Sequence, residues 1–144
     1  VVCVGFDKTS EGEGFDRPFA INEDLENMLI EVAKVQPRTI VVLTGGGNVD
    51  MERWIERVPA VLHTWYPGQA GGLAVAEILY GAVNPSGRLP ATFERRLEDR
   101  SSFACYHDDD GDQRVALKDG LFGGYRHFDR SGIVPRFAFG HGLS

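Results

Sequence analysis

The segment richest in chemistry is Glu11-Gly12-Glu13-Gly14-Phe15-Asp16-Arg17. Two carboxylates alternate with two glycines, which let the backbone turn sharply and a substrate come close. A carboxyl group beside an apolar ring such as Phe15 is a candidate general acid, because poor solvation of the carboxylate favours the protonated form. Asp16 and Arg17 add opposite charges that either stabilise the loop or bind substrate hydroxyls. The segment follows directly on the apolar run 1–6 (VVCVGF). Ligands of open α/β sheets bind in loops at the carboxyl ends of strands. Residue types alone therefore suggest acid–base chemistry, with a solvated acidic loop as the plain alternative.

Other clusters carry less. Gly45-Gly46-Gly47 follows a strand-like run, but a dinucleotide fingerprint needs glycine where Asp50 stands, so a tight turn is the reading. There is no phosphate-binding Gly-Lys-Ser/Thr, no His-Glu-x-x-His and no Cys-x-x-Cys, and no metal site is expected. Asp108-Asp109-Asp110-Gly111-Asp112 has the acidity of a calcium loop, yet Tyr106 and Leu117 occupy the first and last ligand positions. His63 reads as a satisfied core or rim histidine. Trp65 and Tyr66 read as packing anchors beside a turn, with sugar stacking as the alternative. Asn48 and Asp50 read as turn and helix-cap residues. Gly142-Leu143-Ser144 lacks the strand–turn–helix setting of a nucleophile elbow.

The elements that must position these residues are legible from periodicity. Residues 1–6 read as a strand and 7–21 as a long polar loop. Asn22 caps a helix over 23–36 whose apolar face is Leu25, Met28, Leu29, Val32 and Val35, with Pro37 ending it. Thr39–Thr44 (TIVVLT) is a continuous β-branched run of the central parallel-strand type. A short helix is expected over Met51–Glu56, a strand over Ala60–Thr64, and a helix over 70–80 with Gly81 at its C′ position. Strands alternating with helices predict an α/β fold: a mostly parallel sheet with helices on both faces, a partial α/β sandwich. Beyond Asn84-Pro85-Ser86-Gly87 the pattern changes. Residues 88–93 read as extended, and 94–142 as an irregular wrap of loops and short strands without helical period. The 144 residues are expected to form a single domain.

Composition bounds the function. The chain is 42% hydrophobic and 25% charged, with 15 basic against 21 acidic side chains and a net charge of −6. That balance speaks for a globular class and against nucleic acid or an anionic membrane as partner. No apolar run approaches the roughly 20 residues of a membrane span. Cys3 and Cys105 make no disulfide framework. Cys3 in an apolar strand is expected to be a buried thiol, and a Cys3–Cys105 bridge has no support. The chain starts within a strand-like run, without Met, and stops after a glycine-rich motif, which reads as a fragment.

Six segments, in order, carry a family resemblance: 10–17 (SEGEGFDR), 44–51 (TGGGNVDM), 65–69 (WYPGQ), 83–93 (VNPSGRLPATF), 120–128 (GLFGGYRHF) and 137–144 (FAFGHGLS). Together they resemble the second domain of the glycoside hydrolase family 3 β-glucosidases and β-xylosidases, over essentially the whole chain. The resemblance implies an upstream TIM-like barrel supplying a nucleophilic Asp, and an α/β sandwich whose loop carries the acid/base Glu. Many members hold that Glu in a Ser-Gly-Glu-Gly-aromatic segment. The match Gly12-Glu13-Gly14-Phe15 points to Glu13, and Glu11, in place of the first glycine, leaves the choice between the two open.

The implied activity is retaining hydrolysis of a terminal β-glucoside or β-xyloside, without a cofactor. Carboxyl pairs of this kind stand about 5–5.5 Å apart. The barrel would have to dock closely, and the chain alone would be inactive. Asp16 and Arg17 are the candidate substrate-binding residues. The alternatives are a non-catalytic domain that closes the cleft or binds a sugar, and a free-standing nucleotide or anion module. The resemblance is compatible with a secreted or periplasmic protein; the residues themselves name no compartment.

Overall fold

The computed structural model of the chain describes residues 1–108 and 111–144, and it divides into two units, 1–85 and 86–144. The first unit is built on three strands: β1 (Val2–Gly5), β2 (Ile40–Thr44) and β3 (Ala60–His63). Their order is β1-β2-β3 and both pairings are parallel, with Val4 opposite Leu43 and Leu43 opposite His63. The α/β class expected from the alternating pattern is the one observed. The β-branched run forms the middle strand. Val41 and Leu43 are fully buried and Val42 nearly so, because this strand has neighbours on both edges and cover on both faces.

Helix α1 (Glu23–Val35) joins β1 to β2 and helix α2 (Gly71–Leu79) follows β3. Asn22 caps α1 as expected, its side chain accepting from the Asp24 N–H at 2.8 Å. The buried face of α1 differs from the expected one. Leu29, Ala33 and the charged Glu26 are buried, whereas Met28 is 42% and Val35 83% exposed. The stripe is turned towards Glu26 because Arg53 reaches that carboxylate and satisfies it, so a charge occupies a position that periodicity gives to an apolar side chain. Gly81 has φ +76°, as a C′ glycine should. In place of the helix expected over Met51–Glu56 there is one 3₁₀ turn, Ile55–Arg57.

Two cysteine expectations resolve differently. Cys3 is exposed, not buried, because its side chain points to the face of β1 opposite Val4. Cys105 is buried, and both thiols are free.

In the second unit, Phe93 pairs with Phe137 in an antiparallel bridge, and Leu89 exchanges backbone bonds with His141 and Gly140, each 2.8 Å. The extended reading of 88–93 fits this pairing. The absence of helix does not hold, since α3 spans Tyr125–Ser131 between Gly124 (φ +57°) and Gly132 (φ +64°). Only Phe128 in it is buried, so it leaves no apolar period to read. Glu94 and Asp99 are buried acids tied to Arg100 and Arg96. No helix among the described residues is long and apolar enough to cross a membrane.

Candidate active site

All three strands of the first unit run the same way, so the loops after β1, β2 and β3 emerge at one edge of the sheet. The loop after β1 is fastened at several points. Asp7 starts it: its carboxylate accepts from the Thr9 hydroxyl (2.7 Å), the Ser10 hydroxyl (2.9 Å) and both backbone N–H groups. These bonds, the Thr9 hydroxyl first, hold the Asp7 carboxyl down at about 2.

Glu11 makes the next attachment. Its two oxygens accept from the Gly46 N–H at 3.1 and 3.2 Å, and from the Tyr66 hydroxyl. The Arg17 Nε lies 3.3 Å from Glu11 Oε1. Arg17 in turn donates to the Asn48 carbonyl and stacks over the Phe6 ring, 4.2 Å from its centroid. Further along, the Asp50 N–H donates to the Phe19 carbonyl at 2.9 Å, and Ala20 bridges to Asp50.

Between these ties residues 12–16 are all exposed. Gly14 has φ +89°, a conformation that favours glycine. A Cβ on Gly12 would lie 2.8 Å from Phe15 Cε1, so the ring covers Gly12. Glu13 is exposed at the tip and has no hydrogen-bond or ion-pair partner among the described residues. Phe15, itself half exposed, packs on Gly12, and Glu13 beside it is exposed.

His63 closes the cluster from β3. Its Nδ1 accepts from the Trp65 N–H at 3.2 Å, and the Gly47 carbonyl lies 3.4 Å from Nε2. These partners suit a neutral imidazole with its proton on Nε2. The ring stacks on Trp65, centroids 4.3 Å apart and planes 14° from parallel. Burial pushes the His63 pKa down, the Gly47 carbonyl opposes this, and the Arg17 charge adds to it. Trp65 has φ +54°, held there by the stack and by its bond to His63.

Residues 1–144 match the glycosyl hydrolase family 3 C-terminal domain. The chain belongs to this family. It is 46% identical over 145 residues to thermostable β-glucosidase B of Acetivibrio thermocellus, and 41% identical to a probable β-glucosidase J of Aspergillus fumigatus. Each match covers the whole chain but only 19% and 16% of those relatives' lengths. Among solved structures it resembles the Kluyveromyces marxianus β-glucosidase in complex with glucose (TM-score 0.90, 31% identity, 99% of this chain and 17% of that one). It also resembles a Streptomyces venezuelae β-glucosidase (TM-score 0.89, 39% identity, 99% and 18%).

Within this family 3 domain the sequence-derived residues separate into two groups. Glu11 and Arg17 are brought together and partly buried, while Glu13 and Asp16 lie on the exposed stretch. His63 is satisfied, as read from its strand position, and Asp50 caps the Glu52 N–H at 2.9 Å. Tyr125, Arg126 and His141 take part in ring contacts within the second unit. Sequence reasoning missed the Tyr66 and Gly46 donors to Glu11. No local signal reveals them, because they stand 55 and 35 positions away. Asp108 accepts from three backbone N–H groups, of Gly111, Asp112 and Gln113, as a loop-closing residue would. The Asp109 and Asp110 part of the acidic run lies outside the described residues, and among the described ones no group of three metal-binding side chains occurs.

Proposed function

We propose that this chain is the acid/base-bearing domain of a retaining, exo-acting β-glycosidase, with Glu13 as the proton carrier. One observation carries the choice: Glu13 stands free at an exposed loop tip, whereas both oxygens of Glu11 are engaged by Tyr66, Gly46 and Arg17. The β-glucosidase relatives support a β-glucoside as substrate, with a β-xyloside as the related class. In this reading the nucleophilic Asp is supplied by an upstream TIM-like barrel of a longer parent chain.

Glu13 would act twice. In the first half-reaction it protonates the leaving oxygen while the barrel carboxylate attacks the anomeric carbon. In the second it takes a proton from the water that hydrolyses the glycosyl-enzyme. The exposed tip suits this role, since the carboxyl must reach into a cleft on another domain. Asp16 and Arg17 divide in this reading: Arg17 braces the loop, and Asp16, on the exposed stretch, is the proposed ligand for a sugar hydroxyl. Without the barrel no glycosyl-enzyme forms, so the chain alone is inactive.

The test is Glu13→Ala in the full-length enzyme. Poor leaving groups should slow by about 10²–10⁴-fold. Activated aryl glucosides should keep their first step, and added azide should restore turnover by forming a β-glycosyl azide. Equal loss on all substrates without azide rescue sinks the role. Unchanged kinetics in Glu13→Gln would favour a non-catalytic, cleft-closing domain.

A further inference from the structure

We infer that Glu11 is a positioning residue: its carboxylate locks the Glu13 loop onto the loops after β2 and β3 and carries no proton in the reaction. The inference rests on the reading of Glu13 given above and deepens it. A carboxyl group that is to protonate a leaving alcohol must turn an oxygen towards it. Both oxygens of Glu11 are turned the other way, to Tyr66, Gly46 and Arg17. The side chain is only 18% exposed, and that of Arg17 only 15%.

The seat for this carboxylate is sterically built. A Cβ on Gly46 would come 2.8 Å from Glu11 Oε1 and 3.0 Å from Tyr66 Cε2. Glycine at 46 is therefore what lets the β2 loop offer its N–H at hydrogen-bond distance. The β3 loop contributes the Tyr66 hydroxyl, and the β1 loop closes on itself through Arg17. One carboxylate thus holds three loops, two positions from Glu13 at the exposed tip. Glu13 itself makes no such tie among the described residues, and the fastening at Glu11 and Arg17 stands on either side of it. Displacing a reacting group by about 1 Å can cost on the order of 10²-fold in rate.

The experiment uses the full-length enzyme containing this domain, with Glu11→Ala, Glu11→Gln, Tyr66→Phe and the double variant Glu11→Ala/Tyr66→Phe. Glu11→Ala should lower kcat about 10–100-fold for good and poor leaving groups alike. Azide should not rescue it, and both limbs of the pH–rate profile should remain. Glu11→Gln keeps an acceptor for Tyr66 and Gly46 and should recover most of the rate. Tyr66→Phe should cost less than Glu11→Ala, and the double variant should be no slower than Glu11→Ala alone, because both remove one shared contact. Thermal unfolding of each variant is measured alongside. If Glu11→Ala does not fold, Tyr66→Phe and Glu11→Gln, which keep the side-chain volume, decide the matter.

Azide rescue of Glu11→Ala with loss of the acidic group from the pH profile would make Glu11 the proton carrier and overturn the inference. Wild-type kcat in both Glu11→Ala and Tyr66→Phe, or strictly additive losses, would overturn the positioning role and leave Glu13 untouched. Wild-type kinetics in Glu13→Ala would remove the reading beneath it, whatever Glu11 does.

Discussion

The Tyr66 hydroxyl donates to a carboxylate oxygen of Glu11 across 55 positions of sequence. This bond joins the loop after the first strand to the loop after the third, over the loop of the second. It makes the candidate catalytic loop a tertiary object, with a stem fixed by distant partners and a tip that stands free.

The phenol should report that bond directly. Donation to Glu11 raises the Tyr66 pKa above its ordinary 10.0. In an ultraviolet titration taken as the difference between wild type and Tyr66→Phe, the Tyr66 signal should appear above pH 10, and Glu11→Ala should return it towards 10. A phenol with a raised folded-state pKa contributes stability below pH 10, lost as pH rises through the folded value. Loss of signal in Tyr66→Phe identifies the group; a Tyr66 signal unmoved by Glu11→Ala would speak against the bond.

His63 predicts an acid sensitivity of opposite sense. Its folded-state pKa lies below 6.5, mainly because burial disfavours the imidazolium. The unfolded chain therefore binds more protons between the two values, and stability rises with pH there. The neutral ring's contribution is complete above pH 6.5 and is lost as pH falls through the folded pKa. Protonated Nδ1 would point its N–H at the Trp65 N–H that it now accepts. The unfolding midpoint should fall as pH drops below 6.5, and His63→Gln should flatten that dependence. An equal slope in the variant would assign the effect to other groups.

Arg53 predicts a stability loss without any chemistry. It reaches the nearly buried Glu26 carboxylate and donates to Asn27 Oδ1 at 3.0 Å. Arg53→Ala would leave that charge buried on α1. The cost should be about 2–3 kcal/mol, below the range for a fully buried pair, because about half of the Arg53 side chain is exposed. Replacing both residues by Leu should be milder than Arg53→Ala alone. Denaturant midpoints at constant slope measure this; a change below about 0.5 kcal/mol for Arg53→Ala would show that the pair contributes nothing.

Much of the first unit was legible because its signals are local. Asn22 before an acidic turn, the β-branched run ending at Thr44, and Gly81 after α2 each state an element boundary in a few residues. The errors arise where a partner far away changes the meaning of a position. Glu26 breaks the apolar stripe of α1 because Arg53 answers it. Cys3 sits in an apolar run yet faces outward, since a short strand at the sheet's edge buries Val4 and not its neighbour. Helix α3 has one buried residue and so no period, though Gly124 and Gly132 mark its ends.

The α/β class, the family and a glycine-flanked pair of carboxylates after the first strand are all readable from the unfolded chain. These follow from residue type and short spacing, which a chain carries before it folds. Folding in three dimensions is what gives the two carboxylates different surroundings. Parallel strands bring their following loops to one edge, so Gly46 and Tyr66 meet Glu11 and leave Glu13 in solvent. Hydrogen bonds depend on distance in space, and no spacing along the chain encodes which acid finds its donors.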